Sequence, residues 1–124
     1  LPQRIPLALQ EVQLSHAIDL PVKTFSSGMT KRTAIARLLL QQPKLLLLDE
    51  PYEGLAPTIV QEIEGIVQQI REAGITTIIV EQNALAVLKY SDRAVILDTG
   101  VVVYDGPAKE VLENADLRNR YLAI

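Results

Sequence analysis

The sequence predicts an α/β fold, a parallel sheet with crossover helices followed by a β-hairpin and closing helices. Residues 45–51 read Leu-Leu-Leu-Leu-Asp-Glu-Pro, an apolar run suited to a strand buried on both faces and stopped by two carboxylates. A second apolar, β-branched run, residues 75–80, also ends in polar residues. Between them lies the clearest amphipathic helix pattern in the chain. Strand, helix and strand at this spacing form a crossover unit of a parallel sheet. Both strands then deliver polar residues to one edge, where open α/β sheets place their ligands.

Composition narrows the class. With 124 residues, 48% of them hydrophobic, the chain can bury a core for one domain or part of one. Aromatic residues are only 4% and tryptophan is absent, so that core is built from Leu, Ile, Val and Ala. Such a core suits layered α/β packing. A net charge of −3 with scattered basic residues argues against a nucleic-acid surface and against a polybasic membrane patch. The absence of cysteine excludes disulfides and thiolate metal sites. No apolar run approaches the roughly 18–20 residues of a membrane-spanning helix. The first six residues, Leu-Pro-Gln-Arg-Ile-Pro, carry neither an initiator methionine nor a signal-peptide layout. A fragment of a longer domain is expected. No internal repeat or low-complexity linker divides the chain.

Two prolines in residues 1–6 predict an extended start. Leu7, Leu9, Val12 and Leu14 give a helical face over residues 7–18, which Pro21 ends. His16, the single histidine, receives no role. Phe25-Ser26-Ser27-Gly28-Met29 precedes a helix over residues 29–41, with Ile35, Leu38 and Leu39 at helical spacing. A serine there can cap the helix, because its hydroxyl accepts a bond from an orphan backbone N–H. The same geometry binds anions through free N–H groups and the positive end of the helix dipole. From this segment alone, capping is favoured over anion binding. Lys31 and Arg32 read as a solvated helix face.

After the leucine strand, a turn at Tyr52-Glu53-Gly54-Leu55-Ala56 leads to Pro57, which suits the first turn of a helix. Ile59, Ile63, Ile66, Val67 and Ile70 form that helix's apolar stripe, and Gly74 supplies a left-handed stop. If the two strands are neighbours, Gln82 comes near Asp49 and Glu50. A helix over residues 84–90, strands over 94–97 and 101–104 around Asp98-Thr99-Gly100, and helices over 108–114 and 116–122 complete the reading.

The Phe25-to-Met29 segment, about twenty residues before Leu45-Leu46-Leu47-Leu48-Asp49-Glu50-Pro51 and with Val80-Glu81-Gln82-Asn83 behind it, resembles the nucleotide-binding domain of ABC transporters. The first motif is similar to the signature loop, usually Leu-Ser-Gly-Gly-Gln. The second is similar to the Walker B strand with its catalytic glutamate, and Glu53-Gly54-Leu55-Ala56 occupies the D-loop. Gly54-Leu55-Ala56-Pro57, Val80-Glu81-Gln82-Asn83-Ala84 and Arg120-Tyr121-Leu122 look like the ATPase subunits of branched-chain amino-acid importers. The resemblance runs from about Val22 to the end. It implies the carboxyl-terminal half of a P-loop NTPase fold. Residues 1–44 would be a remnant of the helical subdomain with the signature loop and helix. Residues 45–124 would be the C-terminal part of the ATPase core.

The resemblance also implies roles. Asp49 would hold Mg²⁺ through water, and Glu50 would polarise the water that attacks the γ-phosphate of ATP. Gln82 stands at the family's switch-histidine position; an amide can hydrogen-bond a phosphate but takes up no proton at neutral pH. Ser26, Ser27, Gly28 and Met29 would face ATP held by a second nucleotide-binding domain. Ser27 replaces the signature's first glycine and Met29 its glutamine, which would weaken that sandwich. Membrane permease subunits would be the further partners, at the cytoplasmic face of the cell membrane.

No Gly-x-x-x-x-Gly-Lys-Ser/Thr occurs in the sequence, so the parent domain is expected to be the ATPase and this chain to be inactive alone. The alternative is a non-enzymatic, truncated or recombined α/β interaction module. A flavodoxin-like phospho-acceptor ranks below both, since no strand bearing an acidic pair precedes Phe25. Loss of the flanking strands would leave an exposed apolar edge at residues 45–48, and self-association of the isolated chain is expected from it.

Overall fold

The computed structural model describes residues 4–123. They form two compact units, one ending at Val80 and the other beginning at Glu81. In the first unit the order is α1 (Arg4–Glu11), short 3-10 turns at Ser15–Ala17 and Val22–Thr24, α2 (Ser27–Leu39), β1 (Leu45–Asp49), α3 (Pro57–Glu72) and β2 (Thr76–Val80). In the second it is α4 (Ala84–Leu88), β3 (Arg93–Asp98), β4 (Val101–Pro107), α5 (Ala108–Glu113) and α6 (Ala115–Tyr121).

The start of the chain corrects two expectations. Residues 1–3 of the expected extended segment lie outside the described residues, and Arg4, Ile5 and Pro6 open α1 instead. Proline is tolerated there because the first-turn N–H groups have no intrahelical partner. The helix expected over residues 7–18 stops at Glu11. Gln13 turns to φ 58°, and a 3-10 turn follows. Val12 and Leu14 are buried as the apolar pattern requires, whereas Leu7 is exposed.

Helix α2 is capped by a serine as expected, but it begins at Ser27 and ends at Leu39, two residues earlier at each end than the expected 29–41. Ser26 is extended, and its hydroxyl accepts the Met29 N–H at 3.2 Å. Its buried face is Gly28, Arg32, Ile35 and Ala36, which follows helical spacing. Arg32 is therefore not on a solvated face. It is 8% exposed, and its Nη1 lies 2.9 Å from Glu62 Oε2 on α3. The contact is close but not aligned as a hydrogen bond, and Arg32 Nε has no acceptor among the described residues. The attraction is therefore mainly Coulombic, strengthened by burial.

Strands β1 and β2 pair in parallel, Leu45 with Thr76 through Asp49 with Val80, and α3 makes the crossover. Pro57 occupies its first turn, and Ile63, Ile66, Val67 and Ile70 are its buried residues. Gly74, at φ 83°, ends the crossover helix as expected. The expectation of a leucine strand buried on both faces is corrected. Leu46 and Leu48 are buried at 2% and 7%, but Leu45 and Leu47 are 54% and 63% exposed. Side chains alternate along a strand, so a sheet covered on one face buries every second leucine. Ile78 and Val80 are exposed on β2 as well.

The second unit packs a hairpin against short helices. Thr99 and Gly100 both take positive φ, 47° and 79°, matching the twist a two-residue hairpin loop needs. A register shift between Ile96 and Leu97 marks a bulge, and Leu88, Ile96, Ala108 and Val111 form the buried cluster. Arg93 donates to both carboxylate oxygens of Asp105 at 2.7 Å. That hydrogen bond, aided by the charge attraction, holds the Asp105 carboxyl below its usual range against the opposing effect of burial. Tyr104 is raised, first by burial of the phenol and then by its bond to Glu110.

Two predictions follow from these pairs. Glu62→Ala leaves the Arg32 guanidinium buried without its counter-charge. Because Glu62 is partly exposed, the expected loss is about 1–3 kcal/mol, below that of a fully buried pair, read from a lower urea midpoint. For the hairpin, the folded pKa of Asp105 is depressed, so its contribution is present above the unfolded carboxyl value of about 3.9 and is lost as pH falls through the lower folded value. Arg93→Met should therefore flatten the acid limb of stability while changing little else, measured by urea midpoints at neutral and acid pH.

Candidate functional site

The site is built where β1 ends. Asp49 is the last residue of the strand and is exposed, facing its register partner Val80 across the parallel pair. The chain then turns sharply. Glu50 adopts φ 44°, a left-handed conformation costing a non-glycine residue about 1–2 kcal/mol, so the surrounding bonds must hold it. Its N–H donates to Val80 O at 2.8 Å, and its carbonyl accepts the Glu53 N–H at 3.2 Å. Further turns follow, Leu55 N–H to Tyr52 O at 3.3 Å and Ile59 N–H to Ala56 O at 2.9 Å, and these lead into α3.

The signature-like segment sits at the N-terminal end of α2. Ser26 caps, Ser27 is the first helical residue, and both are exposed. Gly28 is buried, and a Cβ built on it would lie 2.6 Å from Ile59 Cγ2. Close approach between α2 and the first turn of α3 therefore requires glycine here. Met29 is half-buried, with its N–H engaged by the cap. One turn further on, Lys31 reaches the site. Its Nζ donates to Glu50 O at 3.0 Å and to Glu53 O at 2.9 Å. The solvated reading of Lys31 is corrected as well. Bonds from an ammonium to carbonyls are charge-assisted and contribute on the order of 1.5–3 kcal/mol when well made.

The structure thus joins the Ser26–Met29 helix, the Asp49–Glu50 strand end and the Glu53–Ala56 turn in one unit. Gln82 itself follows β2 and is an exposed residue of the second unit. Sequence reasoning missed Lys31 and Arg32. For Arg32 a signal existed: spacing of four and three residues places it on the stripe of Gly28 and Ile35. For Lys31 there was none, because its partners are backbone carbonyls far along the chain.

Among the described residues no three acidic or imidazole groups converge as a metal cage. Magnesium is usually held by one or two carboxylates together with substrate phosphates, and an exposed carboxylate at a strand end fits such a partial donor set.

Comparisons with known proteins place this geometry. MJ1267, an ATP-binding cassette of an ABC transporter solved in its ADP conformation, superposes with a TM-score of 0.83 at 28% identity, covering 98% of this chain and 50% of that one. The cbiO1 protein of Clostridium perfringens, part of the ABC transporter complex cbiONQ, gives 0.84 at 35% identity over 98% and 50% of the two chains. The fold is thus that of the P-loop NTPases, in the form taken by ATP-binding cassettes. Residues 2–53 match the model of the ABC transporter family. The chain belongs to that family, as part of an ATP-binding domain.

Among its relatives, the high-affinity branched-chain amino acid transport ATP-binding protein BraG of Pseudomonas aeruginosa is 46% identical over 99 residues, 80% of this chain and 42% of that protein. The lipopolysaccharide export system ATP-binding protein LptB of Escherichia coli is 32% identical over 114 residues, 92% of this chain and 47% of LptB. The chain spans less than half the length of these relatives.

Gly28→Ala should force Ile59 aside and cost about 1–3 kcal/mol, read as a lower urea midpoint. The double variant Gly28→Ala/Ile59→Ala should recover part of that loss, because the clash is with the Ile59 methyl. Strict additivity of the two single losses would refute the contact.

Proposed function

We propose that the chain supplies the signature loop and the metal-and-water side of ATP hydrolysis in the ATP-binding subunit of an ABC importer. The observation that carries this reading is the joint placement of Asp49 and Glu50 at the β1 edge with the signature helix bonded to the same turn. Glu50 is the residue assigned to polarise the attacking water, and Asp49 to Mg²⁺. The metal would supply charge neutralisation on the phosphates. Gln82 would contact the γ-phosphate by hydrogen bonding. Ser26, Ser27, Gly28 and Met29 would close over ATP held by a second nucleotide-binding domain, so that one chain serves two composite sites.

Import of branched-chain amino acids is the transport reading favoured, on the identity to BraG and the Gly54-Leu55-Ala56-Pro57 turn. Membrane permease subunits at the cytoplasmic face of the membrane would be the mechanical partners. Among the described residues no helix is long and apolar enough to cross a membrane. No Gly-x-x-x-x-Gly-Lys-Ser/Thr is present in these residues to cradle the phosphates, so residues 1–124 alone are assigned no tight ATP site. One observation favours self-association of the isolated chain: Leu45, Leu47, Ile78 and Val80 expose an apolar sheet face.

Titration calorimetry of the isolated chain with Mg-ATP should show no submillimolar binding, and such binding would contradict the assignment. In the complete protein that carries these residues, Glu50→Gln should lower kcat by about 100-fold or more while ATP binding persists. Hydrolysis unchanged by that substitution would overturn the role of Glu50. Light scattering of the isolated chain at high concentration should report association that Leu47→Lys reduces; a monodisperse monomer would count against it.

A further inference from the structure

We infer that Lys31 is a positioning residue for Glu50, acting through the backbone of the turn and not by contact with substrate. The inference rests on the ATPase reading above. Its Nζ spans two carbonyls, Glu50 O at 3.0 Å and Glu53 O at 2.9 Å, and these are the first and last residues of the turn that follows β1. The side chain is half-buried, so its bond to Glu50 O is partly shielded from competing water, whereas its bond to Glu53 O is exposed.

The turn needs such a clamp. Glu50 sits at φ 44°, where an L-residue is disfavoured, and the direction of its carboxylate depends on keeping that conformation. Three bonds converge on its backbone: its N–H to Val80 O, its carbonyl from the Glu53 N–H, and the same carbonyl from Lys31. The first ties Glu50 to the sheet and the second closes the turn on itself. Of these three, the third connects it to α2. That helix begins with Ser26, Ser27 and Gly28, and Gly28 also packs against Ile59 beyond the far end of the same loop.

The loop between β1 and α3 is therefore bound to α2 at both ends. A displacement of the first turn of α2, such as phosphate engagement by Ser26 and Ser27 would cause, is transmitted to the Glu50 backbone through the Lys31 ammonium. In a protein where the signature loop and the water-orienting carboxylate serve two different ATP molecules, that link couples one site to the other.

Steady-state hydrolysis by the complete protein carrying these residues, with Lys31→Met and Lys31→Arg, tests the assignment. Lys31→Met should lower kcat about tenfold or more with KM for ATP within about twofold, the pattern expected when positioning and not binding is lost. Lys31→Arg, whose guanidinium can also donate to two carbonyls, should restore most of the rate. In the 124-residue chain, hydrogen exchange at the Glu53 amide should accelerate in Lys31→Met. A kcat within about twofold of wild type for Lys31→Met in an active protein, or an unchanged Glu53 amide, overturns the positioning role alone. A wild-type complete protein that does not hydrolyse ATP overturns the functional reading and takes the positioning claim with it.

Discussion

The first unit depends on the parallel pairing of Leu45–Asp49 with Thr76–Val80. Parallel neighbours cannot be joined by a tight turn, so the chain must climb back along the sheet, and α3 does this with its isoleucine and valine stripe turned inward. The same constraint makes both strands end on one edge. Asp49 lies opposite Val80, and the Glu50 N–H takes the Val80 carbonyl as the last rung of that ladder. A carboxylate pair at that position follows from the pairing, because a slip of one residue would turn every second leucine to the other face.

Helix α2 shows how a small residue and a buried charge can specify one packing. Gly28 admits Ile59 where any side chain would collide, and one turn later Arg32 meets Glu62 on the same helix α3. The two contacts fix where α2 sits along α3. Lys31, adjacent to Arg32, is then carried to the turn after β1. A buried arginine adds little net stability, since desolvation opposes the attraction, but a wrong pairing would leave its charge alone. On that ground Arg32 acts more on register than on stability.

The second unit is organised differently. Its hairpin is set by local chemistry, the Thr99-Gly100 turn and the Arg93–Asp105 bond, and its core is a small apolar cluster. Tyr104 illustrates the close fit, donating to Pro107 O at 2.9 Å and bonding Glu110 at 3.1 Å, with Gly106 beside the ring where a Cβ would come within 2.7 Å of the phenol oxygen.

The order of elements, the crossover helix and its glycine stop, the hairpin loop and the Ser26 cap were legible in the sequence, because each rests on periodicity or on residues within a few positions of one another. Resemblance of the Phe25-to-Met29 and Leu45-to-Pro51 motifs also pointed to the family to which the chain belongs. Less was legible where the first helix stops, since Gln13 carries no breaker signature, and in the leucine strand, whose outer face is exposed because helices cover only one side of it. What tertiary structure alone decided is the environment of Lys31 and the partner that Arg32 meets. A charged side chain on a helix is solvated or engaged according to what the rest of the chain brings to it, and here that is two carbonyls and a carboxylate from 19 to 30 residues away.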